Sequence, residues 1–127
     1  MVSSRQKGRQ TELRVKKILE AEGWNVCLTD MPQKFKKNQD FFGCWDIIAI
    51  KKQPRMDIIQ HLSGNSPDKY VQSTETIIKL IQVKTNSWGD LRECKAFKEE
   101  YFYNHEFVSC EAWQWNSKKK EMKIRKL

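Results

Sequence analysis

Four polar residues stand where they can act together on a metal ion and a phosphate: Glu12, Asp46, Gln82 and Lys84. Asp46 opens the apolar run WDIIAIK, whereas Gln82 and Lys84 lie in the stretch TIIKLIQVKT. Carboxylate and amide oxygens are ligands that hard cations such as Mg²⁺ accept. A lysine beside such a cation can stabilise charge on a phosphate. The residue types therefore indicate metal-assisted chemistry on a phosphate ester.

The stretch at residues 76–85 has the pattern of a central strand. Alternate side chains of a strand share a face, so Gln82 and Lys84 lie on the side of Ile78 and Leu80, opposite Ile77, Ile81 and Val83. Both faces are mostly apolar, which is typical of a strand covered on both sides. The alternative is that Gln82 and Lys84 occupy the exposed end of this strand without a chemical role.

Glu12 lies on a predicted helix over residues 4–22, which Gly23 ends in the position that favours a left-handed cap. Glu12 borders the apolar stripe of this helix, formed by Gly8, Val15, Ile18 and Leu19. An ordinary ion pair of Glu12 with Lys16 is the alternative reading. Asp46 likewise is either a metal ligand or a simple turn residue before its strand.

The remaining pattern predicts an α/β domain of 127 residues. Strands are expected at residues 24–28, 45–51, 76–85, 107–115 and 122–127, and a second helix at residues 91–104 with Leu91, Cys94, Phe97 and Tyr101 on its apolar side. Residues 29–44 read as a surface loop. Residues 52–75 read as an excursion that contains a short amphipathic helix over Met56, Ile58, Ile59 and Leu62, ending at Gly64. Trp113 and Trp115 are interpreted as packing residues rather than base-stacking ones.

Composition predicts one soluble, intracellular and cytoplasmic domain. The chain is 39% apolar and 31% charged, and its mean hydropathy is -0.78. No apolar run approaches the roughly 18 residues that cross a bilayer, and the N-terminus lacks the apolar region of a signal peptide. The four cysteines show no spacing typical of zinc ligands and are interpreted as reduced core or strand residues.

The chain is basic, with 24 Lys and Arg against 16 Asp and Glu, a formal charge of +8. This balance favours a polyanionic partner such as nucleic acid. The candidate DNA contacts fall in two basic clusters, although a solvated face is the commoner explanation of any one cluster. They are Arg5, Lys7, Arg9, Lys16, Lys34, Lys36 and Lys37.

Taken in order, the motifs resemble the PD-(D/E)XK nuclease superfamily, and within it the archaeal Holliday-junction resolvases. The matching residues are K-G-x-x-x-E at Lys7, Gly8 and Glu12, then W-D-I-I-A-I with Asp46, then I-Q-V-K-T with Gln82 and Lys84. The resemblance covers most of the chain. It implies a restriction-endonuclease-like mixed central sheet flanked by helices.

The resemblance also implies a function, that of a Mg²⁺-dependent endodeoxyribonuclease, a hydrolase of DNA recombination and repair. Its metal would be held by Asp46, Gln82, the Val83 carbonyl and Glu12, with Lys84 acting on the attacking hydroxide or the transition state. Mn²⁺ is an accepted substitute for Mg²⁺. The expected partners are branched DNA and a second copy of the chain.

Two departures from the family pattern leave alternatives open. Trp45 replaces the proline of the family name, at a position that donates no side-chain ligand. Gln82 stands where the family usually has an acid, so the site loses one negative charge and weaker metal binding is expected. The alternatives are a nuclease of the same fold that acts on ends, flaps or restriction sites, an inactive DNA-binding module, and a basic domain without a nucleic-acid role.

Overall fold

The computed structural model describes the backbone of residues 4–29, 40–59 and 69–127, and the side chains of residues 6–29, 40–54 and 74–127. This part of the chain contains two helices and five strands. The helices are α1 (Ser4–Ala21) and α2 (Arg92–Phe102); the strands are β1 (Asn25–Leu28), β2 (Ile47–Ile59), β3 (Lys69–Thr85), β4 (Val108–Asn116) and β5 (Glu121–Lys126). Neither helix is long and apolar enough to cross a lipid bilayer.

The strands form one mixed sheet in the order β1-β2-β3-β4-β5. Neighbouring strands are antiparallel except β3 and β4, which are parallel. A parallel pair needs a long crossover connection, and α2 lies in the segment that joins these two strands. The mixed α/β class and the central place of β3 are therefore confirmed.

The two faces of β3 pack against different helices, as the alternation of its side chains predicts. Ile81 and Val83 belong to a buried cluster that contains Val15 and Leu19 of α1. Leu80 belongs to a second cluster that contains Cys94 of α2. The sheet is thus covered on both sides near the end of β3. Gln82 and Lys84 lie at this end of the strand, between the two apolar layers.

The end of α1 forms as predicted. Gly23 has a φ of +94°, a conformation that glycine adopts without steric cost. Its N–H donates to the Glu20 carbonyl at 3.0 Å, and the Trp24 N–H donates to the Leu19 carbonyl at 3.0 Å. These bonds satisfy the last carbonyls of the helix and turn the chain directly into β1.

The predicted excursion at residues 52–75 is wrong in its main feature. Residues 52–59 continue β2 and residues 69–75 begin β3, with Ile59 opposite Lys69 in the antiparallel register. Met56, Ile58 and Ile59 are therefore in a strand and not in a helix, because cross-strand bonds satisfy their backbone; Leu62 and Gly64 lie outside the described residues. β1 pairs only with Ile47–Ile50 of β2. Among the described residues, the rest of β2 therefore forms an edge of the sheet on the side away from β3, and Pro54 is tolerated there.

The apolar side of α2 differs from the prediction at one residue. Leu91 and Cys94 are buried and Phe97 packs against the cluster that contains Cys94, but Tyr101 is 59% exposed. Phe102 takes the packing position instead, because the helix ends there and the chain turns back towards β4. Of the four cysteines, Cys44, Cys94 and Cys110 are buried and Cys27 is exposed, and all are free thiols.

A buried acid on β4 is held by three donors. Glu111 is 2% exposed and accepts from Ser109 Oγ at 2.6 Å, Trp113 Nε1 at 2.9 Å and Lys79 Nζ at 3.2 Å. The periodicity of β4 predicted the strand but did not mark this residue, since Lys79 of β3 reaches it only when β3 and β4 pair in their observed register.

Glu111→Ala is expected to lower the free energy of unfolding by about 3 kcal/mol, because it leaves the Lys79 ammonium and the Trp113 N–H without their acceptor. Urea denaturation at pH 7 measures the change. Glu121→Gln is the control: it removes an exposed pair with Lys123, and it should change stability by less than about 1 kcal/mol. Equal losses in the two variants would show that the buried bonds add nothing.

Candidate active site

Asp46 is positioned by the backbone of β3. It directly precedes β2, its N–H donates to the Ile81 carbonyl at 2.9 Å, and its Oδ2 accepts the Val83 N–H at 2.7 Å. Only 8% of the residue is exposed. The carboxylate is therefore fixed beside the strand segment that carries Gln82 and Lys84.

Two further carboxyl groups act on Asp46. Asp40 forms a side-chain hydrogen bond with Asp46, and Glu12 raises the pKa of Asp46 through its negative charge. A hydrogen bond between two carboxyl groups requires a proton on one of them. Helix α1 and the segment before β2 thus bring three acids into one electrostatically interacting group.

Glu12 reaches this group from α1 and is held by Arg9. Arg9 Nη1 lies 3.2 Å from Glu12 Oε2 and donates to the Thr29 carbonyl at 2.8 Å. Burial raises the pKa of Glu12, Arg9 lowers it, and the Asp40 charge raises it. The alternative pairing with Lys16 is not the one observed, since Lys16 lies 3.9 Å from Glu20.

The pKa of Asp46 is raised from its ordinary value of 3.8 to about 8. Burial is the largest cause, and the Asp40 and Glu12 charges add to it, while the Val83 N–H bond opposes it. Without a cation, this site therefore favours a protonated Asp46. A bound cation would offset the mutual repulsion of the acids and favour the ionised form.

Gln82 and Lys84 lie on the face of β3 that also carries Leu80, and their side chains contact each other. The amide of Gln82 is assigned the orientation in which its oxygen accepts from Lys84 Nζ at 3.1 Å and its nitrogen faces the Cys44 carbonyl. Cys44 lies two residues before Asp46, so the Gln82 amide is tied to the segment that carries the acid. Gly89, with a φ of +60°, lies against the lysine: a Cβ there would stand 3.2 Å from Lys84 Nζ.

The donor set fits a hard, partly hydrated cation. Asp46, Asp40, Glu12 and Gln82 supply oxygen only, the preference of Mg²⁺. Among the described residues, no three acidic, imidazole or thiol side chains are close enough to enclose a metal ion by themselves. Mg²⁺ commonly keeps several waters and few protein ligands, so a Mg²⁺ ion held here would need water to complete its coordination.

The structure groups the predicted site residues in two sets. Asp46 contacts Val83, Glu12 is electrostatically coupled to Asp46, and Gln82 contacts Lys84. Sequence reasoning missed Asp40, because an acid in a predicted surface loop looks like any other loop residue. The one sequence feature that could have drawn attention to Asp40 was its position six residues before Asp46.

The candidate DNA contacts divide into three groups. Lys7 is exposed and Lys16 is half-buried on α1. Arg9 is turned towards Glu12 and is part of the acidic site. The side chains of Arg5, Lys34, Lys36 and Lys37 lie outside the described residues.

Comparison with known proteins adds no relative. The chain matches no protein-family model, no curated protein and no solved structure.

The raised pKa of Asp46 predicts a pH-dependent stability difference. Between pH 4 and pH 8 the folded chain holds a proton at Asp46 that the unfolded chain has released, so stability falls as the pH rises through this window. Asp46→Asn removes the titrating group. In EDTA, the variant is expected to gain on the order of 2 kcal/mol relative to the parent between pH 5 and pH 8.

Urea denaturation of both proteins at pH 5 and pH 8 measures this difference. Glu99→Gln, an exposed acid on α2, is the matched control and should show no such gain. A parent-to-variant difference that stays constant from pH 5 to pH 8 would mean that Asp46 titrates at its ordinary value.

Proposed function

We propose that this chain is a metal-dependent DNA endonuclease of the PD-(D/E)XK type. The observation that carries the proposal is the position of Asp46: its carboxylate is held by the Val83 N–H, within an acidic group that includes Glu12, and at the strand end that bears Gln82 and Lys84. These are the residues of the three sequence motifs, and they come from three separate elements.

The fold supports the same proposal. The order of elements is a helix, three antiparallel strands, a crossover helix and a closing hairpin. The five strands form one mixed sheet with a helix on each face. We assign this arrangement to the restriction-endonuclease-like fold that the motifs imply. Fold alone does not define an activity, so the argument for a nuclease depends on the site.

In the proposed mechanism, Asp46, Glu12 and Gln82 would hold Mg²⁺ together with the Val83 carbonyl, and Asp40 is a further candidate ligand. When bound, the cation supplies a more acidic water and offsets charge on the phosphate. Lys84 donates a hydrogen bond to the attacking hydroxide or to a phosphate oxygen. Arg9 keeps Glu12 oriented and limits its repulsion from the other acids.

Basic side chains would bind the DNA backbone without reading its sequence. Among the side chains that the structure describes, Lys7 and Lys16 on α1 are the candidate DNA contacts, because Arg9 is paired with Glu12. The formal charge of +8 favours this role. Branched DNA is the proposed substrate within the nuclease class, and a homodimer is the proposed assembly because resolving a junction needs two cuts.

A second candidate is an inactive DNA-binding module. One observation favours it: Gln82 is neutral, and both ends of its amide have partners, Cys44 and Lys84. A metal would have to compete with Lys84 for the amide oxygen. This module would keep the basic surface and lose cleavage.

The test is cleavage of a labelled four-way junction, a plain duplex and a single strand, in Mg²⁺, Mn²⁺ or EDTA. Symmetric nicking of the junction alone, abolished by EDTA, is the expected result. Cutting of the duplex or the single strand would support a nuclease but reject a junction-specific one. Binding without cutting in either metal favours the inactive module, and neither binding nor cutting rejects both.

A further inference from the structure

A pocket of about 200 Å³ opens between α1 and the ends of β3 and β4. It lies outside the acidic site and none of the proposed catalytic side chains lines it. Its lining residues are Lys7, Gln10, Thr11, Arg14, Thr85, Asn86, Trp115 and Ser117.

The pocket combines positive charge with an aromatic surface. Lys7 and Arg14 are its charged residues, and no acid is among its lining residues. The Arg14 guanidinium carbon lies 3.9 Å from the centre of the Trp115 ring, which is a close cation–π contact. The contact holds the planar guanidinium group against the indole, so that the two groups form a stacked pair at the pocket.

Internal hydrogen bonds hold the walls. The hydroxyls of Thr11 and Thr85 are 2.7 Å apart and join α1 to β3. Asn86 Oδ1 accepts from the Ser117 N–H at 2.8 Å and from Ser117 Oγ at 2.9 Å, which joins the end of β3 to the turn after β4. The oxygen of this amide is thus occupied, and its NH₂ group is left as a donor for a ligand.

The pocket adjoins the proposed active site along two elements. Thr11 directly precedes Glu12 on α1, and Thr85 directly follows Lys84 on β3. Because neighbouring residues of a strand face opposite ways, the pocket lies on the α1 side of this strand end. A nucleic-acid chain bound at Lys84 would have to pass around the end of β3 to enter it.

We propose that this pocket holds one unpaired nucleotide of the substrate, with its base stacked on the Arg14–Trp115 pair and a phosphate at Lys7. The proposal rests on the proposed function, in that the substrate is nucleic acid. Bases stack on aromatic side chains and on guanidinium planes when they are free of their own duplex. Trp115 is thereby assigned a binding role, whereas Trp113 is buried in the core as the sequence predicted.

The experiment compares two fluorescently labelled oligonucleotides of equal length, pentathymidylate and a fully abasic pentamer. Both carry the same phosphates, and only the first carries bases. Fluorescence anisotropy at a fixed low salt concentration and in EDTA measures binding to the full chain without cleavage. The parent is expected to bind pentathymidylate about tenfold more tightly than the abasic pentamer.

Arg14→Gln is expected to abolish that preference, because it removes the guanidinium plane from an exposed helix position. Lys17→Gln is the matched control: it removes one positive charge from an exposed position on the same helix, away from the pocket lining. It should weaken binding of both pentamers equally and keep the preference. Circular dichroism confirms that both variants retain the fold.

Equal binding of the two pentamers by the parent, or a preference that survives Arg14→Gln, would overturn the proposal. No binding of either pentamer would overturn it as well. Failure here is distinct from failure of the proposed function, since a chain that cuts DNA but shows no base preference remains a nuclease without this subsite. A chain that shows the preference but cuts nothing retains the subsite in a binding module.

Discussion

Asp46→Asn is expected to reduce metal-dependent cleavage on the order of a thousandfold. The substitution keeps the size of the side chain and an oxygen for the Val83 N–H, but it removes the negative charge that the proposed cation needs. Initial cleavage rates in Mg²⁺ and Mn²⁺, on whichever DNA the parent cuts, measure the effect. DNA binding should remain within a few-fold of the parent, because the carboxylate is buried among other acids and does not attract phosphates.

The stability data supply the control for this result. The same substitution is expected to stabilise the metal-free chain at pH 8, so loss of cleavage could not be attributed to unfolding. A natural site that is costly to the fold and needed for activity is a common trade-off. Cleavage by Asp46→Asn at the parental rate would remove Asp46 from the site and with it the proposed mechanism.

Lys84→Met is expected to slow cleavage by about a hundredfold to a thousandfold while DNA affinity stays within a few-fold. Methionine retains an unbranched, flexible side chain but cannot donate to the hydroxide or the phosphate. Lys84→Arg should recover only part of the rate, since the planar guanidinium cannot occupy the space that the ammonium has beside Gly89 and Gln82.

Lys95→Met is the matched control, an exposed lysine on α2 whose loss should leave the cleavage rate near that of the parent. Single-turnover rates separate the chemical step from DNA binding. If Lys84→Met loses DNA affinity in proportion to its rate, Lys84 is a phosphate contact and not a group acting in the transition state.

Much of the architecture follows from the sequence because it depends on local periodicity. The alternation in residues 76–85 assigned Ile81 and Val83 to one face and Leu80 to the other, and the two cores confirm it. Gly23 ended α1 because its backbone conformation is a property of the residue itself. The mixed α/β class followed from the order of such segments.

The extent of the β2–β3 hairpin did not follow from the sequence. Met56, Ile58 and Ile59 carry an apolar spacing that suits a short helix, and only their pairing with the first residues of β3 made them strand. Pairing between distant segments is a tertiary property, and a short apolar run is compatible with either structure until its partner is known.

For the candidate site, the sequence by itself determined which residues are chemically capable: Glu12, Asp46, Gln82 and Lys84. Only the tertiary structure added Asp40, turned Arg9 towards Glu12 and placed Arg14 against Trp115. Residue type limits what a side chain can do wherever it lies, so candidate chemistry can be read from a chain. Burial, charge coupling and stacking depend on which segments the fold brings together, and for that reason they appear only in three dimensions.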